Sequence, residues 1–113
     1  MSPADVRRVA RMFLRHRQLL TSEEADHALG VAAQVLTQAL ARLEAAVDAD
    51  DAASCAEAAH SLKGNLLNLG LPQLAGEAQQ VTEKARAGDL TGVREIGASL
   101  RELLGPLLAG RPA

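Results

Sequence analysis

The chain is nearly without aromatic residues: among 113 there is one Phe, and no Trp or Tyr. That removes the ring platforms on which single-stranded nucleic acid is commonly stacked. It also leaves the core to Leu, Val and Ala. Cysteine is as scarce. Cys55 stands alone, so no disulfide can close within the chain, and a reducing compartment suits it. His16 and His27 have no partners at ligand spacing, and no zinc set is expected. No run approaches the ~18 apolar residues of a membrane span. The N-terminus lacks the basic-then-apolar order of a secretion signal. No membrane association is expected, and the cytoplasm is the expected location. A glycine-rich nucleotide loop is missing too, which argues against a kinase acting on its own. No stretch alternates with period two, so strands are not expected.

What remains is a helical pattern long enough for one domain, residues 1–113. Ser2-Pro3 reads as a helix cap followed by a first-position proline. Val6, Val9, Ala10, Phe13 and Leu14 give that helix an apolar side, and the spacing predicts an end near Leu20. Residues 1–20 form a basic segment. Five arginines (Arg7, Arg8, Arg11, Arg15, Arg17) face one Asp5, a net charge of +4 that leaves −6 on the rest. A solvated face of a packed helix is the favoured reading of this cluster. Contact with an acidic partner is a second. Nucleic acid or an anionic membrane is a third and is disfavoured, because no base-reading motif accompanies the arginines and the rest of the chain is acidic.

Thr21 or Ser22 can cap a second helix, and Gly30 is a place where it can bend or break. The stronger periodicity begins at Val31 and runs through Val35, Leu36, Ala39, Leu40, Leu43 and Val47. Asp48, Asp50 and Asp51 mark a turn and a cap. A helix from about Ala52 to Leu69 follows, closed by Gly70. Pro72 opens another, with Leu74, Ala78, Val81 and Ala85 inward. Ala87-Gly88-Asp89 is a second stop. Leu90, Val93, Ile96, Leu100, Leu103 and Leu104 pattern the last helix, with Gly105-Pro106 as its end or kink and Gly110-Arg111-Pro112 as a frayed tail. Short connections force antiparallel neighbours. The expected fold is all-α: an up-down antiparallel four-helix bundle over about 31–109, with the basic helix as an additional N-terminal piece.

One residue stands out on this scaffold. At about 100° per residue, Cys55, Ala58, Ala59, Leu62, Leu66 and Leu69 form a single core-facing stripe. His60 lies roughly 150° from the middle of that stripe. Ala53, Ala56, Glu57, Lys63, Gly64 and Leu67 surround it on the outer face. A lone histidine is ordinarily incidental. An outward imidazole with a cation three residues on, and no side chain four residues on, is harder to dismiss.

The run Ala59-His60-Ser61-Leu62-Lys63-Gly64, followed by Leu69-Gly70, resembles the signature of histidine-containing phosphotransfer (HPt) domains. The likeness extends through Leu74, Ala75 and Ala78 to the Ala87-Gly88-Asp89 turn, most of the chain. The resemblance implies a phosphocarrier of two-component phosphorelays, exchanging a phosphoryl group between His60 and an aspartate on a receiver domain. The partners it implies are a response-regulator receiver domain, a hybrid sensor histidine kinase, or both. It implies no cofactor on this chain, with Mg²⁺ held by the receiver. Chemistry agrees with these roles. A neutral imidazole is a nucleophile near neutral pH. Lys63 lies one turn on and can offset phosphoryl charge. Gly64 leaves room for a partner to approach in line. Ala53, Ala56, Glu57 and Leu67 would form the docking surface. Family members often hold the imidazole with a polar residue on the next helix. That position corresponds to Thr82 here, with Gln79 one turn earlier. The competing reading is a helical module that docks a receiver or kinase without being phosphorylated. A monomer is expected.

Overall fold

The computed structural model describes residues 1–109. Five helices account for them: α1 (Pro3–His16), α2 (Ser22–Asp48), α3 (Ala52–Asn68), α4 (Pro72–Arg86) and α5 (Val93–Leu108). No strand occurs among the described residues. Helices α2 to α5 form the expected bundle. α3 packs most extensively against α4 and then α2, and α5 closes the ring against α2 and α4. α1 adds to it by lying on α5 and α2.

Local chemistry explains most of the boundaries. Ser2 and Asp5 form a reciprocal capping box at α1, with Pro3 in the first turn. Thr21 and Glu24 do the same at α2. The Asp51 carboxylate caps α3 by accepting from the Ser54 amide at 3.1 Å. Gly70 and Gly88 take positive φ, 71° and 75°, after α3 and α4, where a side chain would be strained.

Four boundaries differ from the sequence pattern. α1 stops at His16 rather than near Leu20, because Leu19 turns the chain at φ 57°. The Arg15 guanidinium holds that turn by donating to the Leu20 carbonyl at 3.0 Å. α2 runs unbroken through Gly30, so the bundle begins at Ser22 rather than about residue 31. Ala25, Leu29 and Ala33 are buried on both sides of the glycine, and this packing outweighs its helix penalty of about 1 kcal/mol. Leu90 precedes α5, which starts at Val93 after the left-handed Gly92. α5 also continues through Pro106 to Leu108, anchored by buried Leu104 and Leu107. The expected tail at Gly110-Arg111-Pro112 lies outside the described residues.

The core is a leucine and alanine core, as the missing aromatics require. Leu36, Leu40, Leu43, Leu62, Leu66, Leu100 and Leu104 are at most 1% exposed, and each full burial contributes about 2 kcal/mol. Ala39, Ala59 and Ala78 are fully buried among them and let the helix axes come close. Gly70 fixes the place of α1. A Cβ there would stand 2.3 Å from Phe13 Cδ2, so the α1 ring rests directly on the α3–α4 turn.

The N-terminal end is tied down by carboxylates. Asp5 is held at about 2 by the Arg8 guanidinium and the Ser2 hydroxyl. Asp26 is lowered by its bond from Arg11, and Glu24 by the Thr21 amide. A lowered folded pKa stabilises above the unfolded value and is lost as pH falls through the folded one. Acidification from about pH 4 to pH 2 should therefore loosen the caps of α1 and α2 and the α1–α2 tie. Amide exchange at pH 7 and pH 3 checks this, with protection expected to fall earlier in α1 than in α4, whose N-terminus has no side-chain cap. Equal loss in the two helices would show that these carboxylates do not hold the end.

Candidate outward histidine face

The α3 stripe behaves as its spacing requires. Cys55, Ala58, Ala59, Leu62 and Leu66 are buried, as is Leu69 just past the helix end. Burial also raises the Cys55 thiol above its ordinary pKa, consistent with an inert core residue. His60 is exposed on the opposite side. Its ring makes no hydrogen bond or ion pair among the described residues. Nothing in the fold requires an imidazole at this point.

The surroundings of His60 are low and open. Ala53 and Gly64 are exposed and Ala56 is half-buried. A Cβ built on Gly64 would meet nothing within 4 Å, so no neighbour in the fold demands glycine there. The residue costs the helix about 1 kcal/mol relative to Ala. Leu67 is 46% exposed, one turn beyond Lys63. Lys63 is half-buried and makes no ion pair among the described residues, and the Glu57 carboxylate is exposed and likewise unpaired. The Asn65 amide donates to the Ser61 carbonyl at 2.8 Å, which ties the helix turn that carries Gly64.

The neighbouring helix supplies less than the pattern suggested. Thr82 is fully buried, and its hydroxyl donates back to the Ala78 carbonyl at 3.1 Å. Its hydrogen-bonding capacity is used within its own helix. Gln79 is half-buried, and its amide donates to Glu83 at 3.1 Å. Neither bond reaches His60, so the expected orienting contact is not made in this structure. Thr is too short to span from the core side of α4 to an outward ring.

One charged neighbour escaped the sequence pattern. Arg42 on α2 lines the groove between α2 and α3 together with Glu57 and Ser61. It lies well before Glu57 in the chain, and only the packing of α2 on α3 brings the two to one groove. No group of three or more His, Cys, Asp or Glu suited to a metal occurs among the described residues. No helix among them is long and apolar enough to cross a membrane.

A family model described as the Hpt domain matches residues 17–110. Comparison with curated proteins finds no match, and neither does comparison with solved structures.

Proposed function

Because the chain belongs to the Hpt domain family, we propose that His60 accepts a phosphoryl group from an aspartate of one signalling protein and passes it to another. Members of this family are phosphocarriers of two-component signalling and not kinases. The observation that carries the assignment is the outward His60 in the middle of α3, without a hydrogen-bond or ion-pair partner among the described residues, one turn before Lys63 and Gly64. The partners in this reading are a response-regulator receiver domain, a hybrid sensor histidine kinase, or both. Any Mg²⁺ that assists transfer belongs to the partner.

Each neighbour has a physical part. The Lys63 ammonium can turn toward the phosphoryl oxygens and offset their charge. Gly64 leaves a gap at the surface through which the acyl phosphate approaches along the line of the new bond. Ala53 and Ala56 keep the flanks low. Leu67 offers the apolar contact on which a partner would seat, with Glu57 at the edge of that surface. With no orienting bond from Thr82 or Gln79, the imidazole takes its final angle within the complex.

The test is phosphorylation of the purified chain by phosphorylated receiver domains and by phosphoramidate. The label should be acid-labile and alkali-stable. Binding of a receiver without any label would favour the docking module instead. Gly64→Gln refines the assignment. It should fold with equal or higher helicity, take phosphate from phosphoramidate as the parent does, and take it at least about tenfold more slowly from a receiver. Unchanged receiver kinetics in that variant would show that no close approach occurs over residue 64.

A further inference from the structure

α3 carries one carboxylate and one ammonium, and they flank the imidazole. Glu57 is three residues before His60, and Lys63 three residues after. Each is a helical neighbour of His60, with about 5–6 Å between Cβ atoms. They are six residues apart and do not pair with one another. Neither has any ion-pair partner among the described residues. Several carboxylates on the bundle surface are engaged, Glu44 with Arg101, Asp48 with Arg94 and Asp89 with Lys84, whereas Glu57, like Glu77 and Glu102, is not. On α4, Glu83 is held by Gln79. From α2, Arg42 borders the same groove as Glu57, which the Asp51 carboxylate, held by Ser54, also lines.

Resting on the phosphotransfer reading, we infer that Glu57 biases His60 toward giving its phosphoryl group away, and that Arg42 moderates this bias. In the loading step one ring nitrogen donates its lone pair to phosphorus. The acyl P–O bond breaks, and its electron pair leaves with the carboxylate. The proton on the other ring nitrogen then passes to water. His60, uncharged before the step, now carries a dianionic phosphoryl group. Glu57 is indifferent to the first state and repels the second. Lys63 acts with the opposite sign. Glu57 thus raises the transfer potential of phosphohistidine without touching the reacting atoms, as a positioning charge. Arg42, on α2 along the groove that Glu57 also lines, offsets it in part.

Phosphoramidate and ammonia provide a partner-free test. At a fixed ratio of the two, the phosphohistidine fraction read by phosphorus NMR, approached from both sides, reports the equilibrium. At low ionic strength Glu57→Gln should favour phosphohistidine about two- to fivefold. Arg42→Gln should move the ratio the other way by a smaller factor. Glu102→Gln, an exposed acid on α5, should leave it unchanged. All differences should shrink in about 1 M salt, where the screening length is about 3 Å. Thermal melts establish that the variants are folded. If the parent chain is labelled at His60 but Glu57→Gln matches it, or shifts away from phosphohistidine, the electrostatic bias is wrong and the phosphotransfer reading stands. If the parent chain takes no label at His60, both fall.

Discussion

His60→Gln is expected to abolish phosphorylation completely while leaving the melting temperature within a degree or two of the parent. Both halves follow from the placement of the residue. The imidazole is exposed, on the side of α3 away from Leu62 and Leu66, and makes no hydrogen bond or ion pair among the described residues. Removing it costs no buried contact. Gln is also slightly the better helix former. Chemically the loss is total, because a side-chain amide is not a nucleophile toward phosphorus and neither other histidine is on α3. His16 ends α1 and His27 lies in α2. Label and melting curve must be measured on the same preparation. A melt lowered by many degrees would mean that His60 supports the fold. Residual acid-labile label would mean that another histidine accepts phosphate.

Among the described glycines, Gly70→Ala should be the most destabilising replacement by alanine, by about 2–5 kcal/mol. Two causes act together. The backbone at Gly70 has φ 71°, a conformation that costs an L-residue roughly 1–2 kcal/mol. The new Cβ would also stand 2.3–2.9 Å from Phe13 Cδ2, Cγ and Cβ. The ring cannot yield by a rotamer change alone, since its own Cβ is among the atoms struck. α1 must lift from the turn. Denaturant unfolding of Gly70→Ala, Phe13→Ala and the double variant separates the two causes. In the Phe13→Ala background the Gly70 penalty should fall to the backbone part, about 1–2 kcal/mol. An unchanged penalty there would show that α1 does not rest on the turn. His60 stands ten residues before Gly70, so phosphorylation of any folded Gly70→Ala should persist.

Gly70 also shows where a linear pattern stops being informative. As a residue after a helix, it announces a left-handed cap, and the structure has one. That the same glycine is the seat of Phe13 could not be read, because the two are far apart in the chain and meet only when α1 folds back. Gly30 and Pro106 differ in the opposite direction. Local propensity marks Gly30 as a bend or break and Pro106 as an end or kink, and neither ends its helix, because tertiary burial of Leu29, Ala33, Leu104 and Leu107 carries the helices through them. Thr82 lies on the neighbouring helix, as the pattern indicates. Its role as a ring-orienting group depended on which way its hydroxyl turned, and it turns to Ala78.

By itself, the order of residues determined the class of fold and the exposed histidine. Both depend on helical periodicity, a local property that needs only the angle between successive side chains. The same angle placed Lys63 and Gly64 beside His60. Tertiary structure alone decided the extent of α2, the seat of α1, the lack of a hydrogen bond to the imidazole among the described residues and the arrival of Arg42 at the groove that Glu57 lines. Each of these depends on residues brought together by packing between helices, and packing energy exceeds the preferences of any single residue.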